Sequence, residues 1–159
     1  MISEVEQLNH LSLVEFPEYF SALDAPQASA LRGLYRGSFV GPAWLRALAG
    51  PLLVITRMGK WIGKDIDPGG RALNLVRTKG GIVQKFPMQL VERESLIDGK
   101  PGLALRYEDS NPFPWPWIID ELRSIQPDLV LGMTITRIGP LVRLPLPFAL
   151  KSRESMDEF

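Results

Sequence analysis

The chain has 159 residues, with 18 lysines and arginines balanced by 18 aspartates and glutamates, and it has no cysteine. This length predicts one domain with enough chain to bury a core. The charge balance excludes an overall electrostatic attraction to nucleic acid or anionic membrane, although it leaves room for a local basic patch. The absence of cysteine excludes disulfides, thiolate zinc sites and cysteine nucleophiles.

Residues 1–30 are predicted to form a helical N-terminal segment. Phe16, Tyr19 and Phe20 recur at helical spacing, and Asp24-Ala25-Pro26 follows as a stop signal. The first ten residues lack the basic and apolar regions of a signal peptide, so a cytoplasmic protein is expected. We expect this segment to pack across the outside or the mouth of the structure that follows.

Residues 31–40 are predicted to form a strand in which Gly33 and Gly37 mark a bend or the close approach of another backbone. A helix is predicted over 42–58, interrupted at Gly50-Pro51, where the proline suits the first turn of a second helix. This apolar run is shorter than the ~20 residues of a membrane span and contains arginine. No membrane span is therefore expected, and the helix or helix pair should pack against or cap the strands.

From Trp61 onward the sequence alternates strand-like segments with glycine-rich turns at 67–70, 79–81 and 98–102. Pro87 lies inside one such segment and predicts a bulge or an edge strand. The spacing favours an antiparallel meander, and together the strands predict a small β-barrel with an apolar interior.

Residues 103–138 contain most of the unusual local features. A strand ending at Tyr107 is followed by a proline and aromatic corner at 112–117, a short helix at 117–124 and a second strand. In such a helix Asp120 and Arg123 are three residues apart and can meet. The predicted organisation is a single domain with a barrel over 31–153, inserted helices at 42–58 and 117–124, and a charged tail at 154–159.

The alternation does not decide which strand face lines the barrel. One face would leave room for a ligand, since it carries Ala72, Asn74, Ala104, Arg106, Gly132 and Thr134. The other would fill the interior, since it carries Leu73, Leu75, Leu105, Tyr107, Leu131 and Met133. Both arrangements fit the pattern.

Sequence motifs for catalysis and metal binding are absent. The chain has no dinucleotide or P-loop motif, no GxSxG elbow and no HExxH motif. Its one histidine, His10, cannot supply a multi-histidine metal centre and lies in a segment predicted to be peripheral. No metal and no cofactor are expected.

Six short segments follow, in order, the landmarks of one family. They are Gly33-Leu34-Tyr35-Arg36-Gly37, Trp61-Ile62-Gly63-Lys64, Tyr107-Glu108-Asp109, Asp120-Glu121-Leu122-Arg123, Leu131-Gly132-Met133 and Phe148-Ala149-Leu150. Over 31–153 the chain resembles the uncharacterised bacterial and fungal proteins that are named for a GxWxG motif with a following domain of unknown function. It resembles a divergent member of that family, because Tyr35 stands where the motif has tryptophan. The resemblance implies a mainly β, lipocalin-like or fatty-acid-binding-like antiparallel barrel, which often encloses a small apolar ligand.

Seven residues are candidates for a site. Ligand binding is predicted for Trp61, Lys64, Arg106, Tyr107 and Arg123, and the candidates for catalysis are Tyr107, Asp109 and Asp120. A lysine or arginine inside an apolar cavity could meet a ligand's carboxylate or carbonyl. The structural alternative is that Asp120 and Arg123 hold the short helix to the barrel, Asp109 caps a turn and Trp61 plugs the barrel bottom.

Three functions are compatible with these features. The first is binding of a small hydrophobic or amphiphilic molecule in a barrel cavity. The second is an isomerase, cyclase or hydratase acting on such a molecule, with Asp109 or Asp120 as base and Tyr107 or Lys64 as acid. The third is a protein-interaction module that uses an exposed patch of Trp44, Trp115, Trp117 and the proline corner. Its partner could be another protein or a second copy of the chain in a homo-oligomer.

Overall fold

The structure is a computed structural model that describes residues 2–159. Eight antiparallel strands close into a barrel in which each strand pairs with its neighbours in sequence and the first pairs with the last. They are β1 (Gly33–Phe39), β2 (Lys60–Ile66), β3 (Arg71–Thr78), β4 (Gly81–Glu94), β5 (Pro101–Tyr107), β6 (Ile118–Gln126), β7 (Leu129–Thr136) and β8 (Leu146–Arg153). The predicted antiparallel barrel is confirmed.

Two α-helices accompany the barrel, α1 (Glu15–Ser21) and α2 (Ala43–Ile55). Short 3-10 helices occur at Val5–His10, Ala28–Ala30, Trp115–Trp117, Gly139–Arg143 and Met156–Glu158. Within residues 2–159 no helix is both long and apolar enough to cross a membrane.

The N-terminal segment covers one outer side of the barrel, as its apolar spacing predicted. Phe16 and Phe20 of α1 are fully buried and pack with Leu131 and Met133, whose side chains point out of β7. Strand β7 is therefore buried on both faces, and this explains why it is apolar along most of its length.

The connections of the barrel divide into two ends. The loops that follow β1, β3, β5 and β7 lie at one end, which we call the mouth, and α2 belongs to the first of these loops. The loops that follow β2, β4 and β6 lie at the other end. Helix α2, predicted over 42–58, is thus confirmed as an element at the mouth of the barrel.

Two helix predictions are wrong in detail. The helix predicted over 117–124 is strand β6, preceded by a single 3-10 turn. Ile118 and Leu122 are four residues apart, a spacing that places two side chains on one face of a strand as well as of a helix. The predicted interruption at Gly50-Pro51 is also absent. Helix α2 continues through Pro51, and the turn around this proline is exposed to solvent.

Pro87 marks a bulge, as predicted. The pairing of β3 with β4 shifts between Ala72 and Asn74, opposite Phe86 and Pro87. Phe86 has a positive φ of 52°, which lets β4 carry one extra residue at this point.

Neither of the two predicted strand faces lines the barrel as a whole. On β3 and β7 the small residues point inward, among them Asn74, Gly132 and Thr134. On β5 the large residues Leu105 and Tyr107 point inward instead. The interior therefore combines an apolar filling on one side with open volume on the other.

Candidate functional site

A cavity of about 520 Å³ lies inside the barrel and reaches the surface at the mouth. Its walls are apolar and come from α2, from the proline and aromatic corner and from the inner faces of the strands. A volume of this size suits a small organic ligand. A wider groove of about 770 Å³ lies outside the barrel at the other end, between residues 25–29, 92–94 and 101–103, and is more open to solvent.

The inner part of the cavity holds a buried polar cluster centred on Lys64. The Lys64 ammonium donates to Asp120 Oδ2 at 3.0 Å, to Asn74 Oδ1 at 2.9 Å and to Met88 Sδ at 3.4 Å. Thr134 donates to the other carboxylate oxygen of Asp120 at 2.8 Å. We call Lys64, Asn74, Tyr107, Asp120 and Thr134 the inner cluster, and all five line the cavity.

The charges of the inner cluster cancel. Lys64 and Asp120 are each about 2% exposed. Both charges have therefore lost their hydration, and each compensates the charge of the other. The rings of Trp61, Tyr107 and Phe148 surround the ammonium at 5.6–5.7 Å from their centroids. The floor of the cavity is therefore polar but has no net charge.

Within residues 2–159, two hydrogen-bond donors that belong to cavity-lining residues have no acceptor. The Tyr107 hydroxyl accepts from Asn74 Nδ2 at 3.3 Å, but its own hydrogen meets no acceptor among the described residues. The buried Trp61 Nε1 likewise has no hydrogen-bond partner within residues 2–159. Unpaired buried donors are rare because they lose hydration without compensation, so these two mark a place where a ligand acceptor would be stabilising.

The Tyr107 phenol stays protonated at neutral pH. Burial raises the pKa of Tyr107 well above its usual range, and the negative charge of Asp120 raises it further, while the bond from Asn74 opposes both effects. Tyr107 can therefore donate a hydrogen bond at any physiological pH.

Two glycines make room for the aromatic floor. Gly37 of β1 lies against the six-membered ring of Trp61, and Gly132 of β7 lies against the ring of Phe148. A Cβ at either position would overlap the ring, so each glycine is needed for close approach. The sequence predicted a bend or the close approach of another backbone at Gly37, whereas the group that approaches it is the side chain of Trp61.

A second buried charged cluster lies on the outside of β6. Arg123 donates to Asp98 at 3.3 Å and stacks on Phe20 with its guanidinium carbon 4.6 Å from the ring centroid. Glu121 accepts from the Ser95 hydroxyl and, at 2.6 Å, from the backbone N–H of Leu96. This outer cluster fastens the β4–β5 connection and α1 to the barrel wall.

The structure separates the seven predicted site residues into two groups. Trp61, Lys64, Tyr107 and Asp120 meet at the cavity. Arg106 is exposed on the outer face of β5, Asp109 is exposed in the loop after β5, and Arg123 belongs to the outer cluster. The predicted meeting of Asp120 with Arg123 does not occur, because residues three apart on a strand point to opposite faces.

The patch predicted for protein interaction is also divided. Trp115 is buried, stacks on Phe86 and Tyr107 at centroid distances of 5.2 and 4.9 Å, and donates from Nε1 to the Thr56 carbonyl at 2.8 Å. Trp44 and Trp117 are exposed at the mouth. His10 is exposed at the end of the first 3-10 helix, in agreement with a peripheral position.

Sequence reasoning missed Asn74 and Thr134 as site residues, and of the outer cluster it named Arg123 alone, as a ligand-binding candidate. Asn74 stands alone among apolar residues in ALNLV, and a single polar residue in such a run is the available signal of a buried polar site. Asp98 and Glu121 gave no comparable signal, since charged residues in a short segment are usually exposed.

Comparison with known proteins supports the fold. No protein-family model matches the chain, and curated protein sequences give no match. The structure is similar to the crystal structure of a protein from Thermomonospora curvata, with a TM-score of 0.68 and 23% sequence identity over 89% of this chain and 87% of that chain. Identity at this level shows a shared barrel fold alone.

Proposed function

We propose that the protein binds a small, uncharged and mostly apolar molecule whose inner end carries a hydrogen-bond acceptor, such as a ketone or ester oxygen. The observation that carries this proposal is the pair of unpartnered donors, Tyr107 O–H and Trp61 Nε1–H, beside an apolar cavity of about 520 Å³. A binding role also suits the resemblance to the GxWxG-motif proteins and to lipocalin-like barrels.

The charge balance of the floor favours a neutral ligand over an acid. Lys64 already meets the Asp120 carboxylate at 3.0 Å and directs its remaining protons to Asn74 and Met88. A ligand carboxylate would add a buried negative charge with no free cation to compensate it, and such a charge costs several kcal/mol. Of the two ligand groups expected at a cavity lysine or arginine, a carboxylate or a carbonyl, the charge balance favours the carbonyl.

The test is a set of three matched ligands that share one apolar body and end in a carboxylate, a methyl ester or a methyl ketone. Their dissociation constants are measured at neutral pH by calorimetry or by quenching of tryptophan fluorescence. The ester and ketone should bind at least about tenfold more tightly than the acid, since one tenfold step is about 1.4 kcal/mol. Equal or tighter binding of the acid would contradict the proposal.

One variant and its control test the Tyr107 donor. Tyr107→Phe removes only the phenolic oxygen and should weaken ketone binding roughly threefold to tenfold, the usual effect of one hydrogen bond. Arg106→Met is the control, because Arg106 lies outside the barrel and should not affect binding.

A second candidate is proton transfer on the same ligand. The Asp120 carboxylate and the Tyr107 hydroxyl line one cavity, so a carbonyl held by Tyr107 could present its α-hydrogen to a carboxylate. The enzyme hypothesis predicts that a bound ketone exchanges its α-hydrogens for deuterium and that Asp120→Asn abolishes this exchange. If the α-hydrogens of the bound ketone exchange no faster than in buffer, the enzyme hypothesis is wrong and the binding proposal remains.

A further inference from the structure

Helix α2 has no polar face. Its thirteen residues, AWLRALAGPLLVI, contain Arg46 as the one polar side chain, and no residue of this fully described helix is buried. Helices on the surface of a globular protein normally turn polar side chains to water. On α2, Trp44, Leu48, Leu52, Val54 and Ile55 are instead 49–77% exposed.

The exposed apolar surface continues around the mouth. Phe113 from the loop after β5 is 72% exposed, and Leu141 and Leu144 from the loop after β7 are about half exposed. These three side chains line the cavity together with Trp44, Leu48 and Leu52, so they ring its opening. We call the exposed apolar residues of α2 and of these two loops the rim. A continuous exposed apolar surface marks a place of contact with another apolar body.

The charges on α2 and on the loop after β7 are all positive, whereas Asp109 in the loop after β5 and Glu15, two residues from the cavity-lining Leu13, are exposed acids next to the rim. No aspartate or glutamate occurs between Asp24 and Asp65 or between Asp128 and Glu154. The exposed arginines on or beside the rim elements are Arg46, Arg57, Arg137 and Arg143. In the loop after β5, Glu108 is paired with Arg71 at 3.2 Å, and this leaves Asp109 as the unpaired acid there. The rim elements therefore carry more positive than negative charge, although the overall charge of the chain is balanced.

We infer that the rim docks on the surface of an anionic lipid bilayer, with its apolar side chains in the interface and its arginines on the lipid phosphates. Exposed tryptophan, phenylalanine and leucine next to arginine is the composition that binds such interfaces. A second copy of the chain fits the rim less well, since a symmetric pair brings the same patch, and hence the same arginines, face to face. Docking would also open the cavity toward the bilayer, so that an apolar molecule could pass between them without crossing water.

The experiment is sedimentation of the full chain with two kinds of vesicle, phosphatidylcholine alone and phosphatidylcholine mixed with phosphatidylglycerol. The protein should sediment with the mixed vesicles and much less with the neutral ones, and salt should weaken the binding. Absence of binding to the mixed vesicles would overturn the inference.

Matched variants locate the contact. Leu48→Ser with Leu52→Ser should weaken vesicle binding at least about tenfold, whereas Leu96→Ser with Met156→Ser, exposed at the other end of the barrel, should not. Arg143→Glu should weaken it on the order of tenfold, whereas Arg106→Glu on the barrel wall should have a much smaller effect. Rim and control variants that bind alike would overturn the inference.

Two further readouts separate this inference from its alternatives. Tyr107→Phe changes the cavity floor alone, so its vesicle binding should equal that of the wild type even if ligand binding is lost. Analytical ultracentrifugation without lipid should show a monomer. A dimer that the Leu48→Ser and Leu52→Ser changes dissociate would assign the rim to a second copy and overturn bilayer docking.

Discussion

The inner and outer clusters sit on opposite faces of one strand, and their contrast is instructive. Asp120 of β6 faces Lys64 inside the barrel, and its neighbours Glu121 and Arg123 face Ser95 and Asp98 outside it. In the outer cluster the atom without a partner among the described residues is an acceptor, Asp98 Oδ2, and the Asp98 side chain is mostly buried. Around the inner cluster, the Tyr107 hydroxyl and the Trp61 Nε1 are unpaired donors of residues that line a cavity. Burial of charge is common to both, so the unpaired donors and the adjacent volume distinguish the candidate site.

The largest expected effect comes from breaking the outer cluster. Arg123→Ala removes the partner of Asp98 and the contact with Phe20 and should lower the free energy of unfolding by about 3–5 kcal/mol. Urea denaturation measures the loss. Arg106→Ala, an exposed arginine on the adjacent strand, is the control and should change stability by less than about 0.5 kcal/mol. Similar losses from the two variants would mean that the outer cluster is not structural.

An intermediate effect is expected from a double-mutant cycle across the inner pair. Lys64→Met and Asp120→Leu should each destabilise the protein by stranding a buried charge, while the double variant should be nearly as stable as the wild type. The coupling energy from urea denaturation should then be close to the sum of the two single losses. Additive losses in the double variant would show that the two charges stabilise the barrel independently of each other.

The smallest effect is a difference in pH dependence between the clusters. Burial raises the pKa of Asp98, but the Lys100 amide and the Arg123 guanidinium outweigh it and lower the pKa overall. The outer cluster thus adds stability above the unfolded pKa of about 3.9, and that stability is lost as pH falls through the lower folded value. The raised pKa of Tyr107 acts in reverse: its contribution is complete below about pH 10 and is lost as pH rises through the folded value.

Unfolding free energies measured across pH test this prediction. Asp98→Asn should flatten the acid limb alone, and Tyr107→Phe should flatten the alkaline limb alone. A variant that alters the opposite limb would show that the clusters are not independent.

The barrel and half of the site could be predicted from the sequence. Alternating apolar residues, glycine-rich turns and Pro87 gave the strands and the bulge, and Trp61, Lys64, Tyr107 and Asp120 do meet at the cavity. The strand and bulge predictions succeeded because each rests on a local rule about a strand or a turn.

The rest depends on contacts distant in sequence. Arg106 was placed inside because alternation alone does not tell which face of β5 is inner. Strand β6 was mistaken for a helix because both its faces are buried, and the apolar pattern therefore lost its period of two. Arg123 is covered by Phe20, which lies more than a hundred positions away along the chain. No local sequence pattern predicts this contact.

The pairing of β1 with β8 has one further consequence. A sheet that closes on itself offers no free row of backbone N–H and C=O groups to which another chain could add a strand. A protein that displays tryptophan and leucine to solvent would ordinarily be prone to form β-aggregates. Here the rim consists of helix and loop, and every strand is already paired on both sides. Any self-association through the rim should therefore be reversible and should not template fibrils.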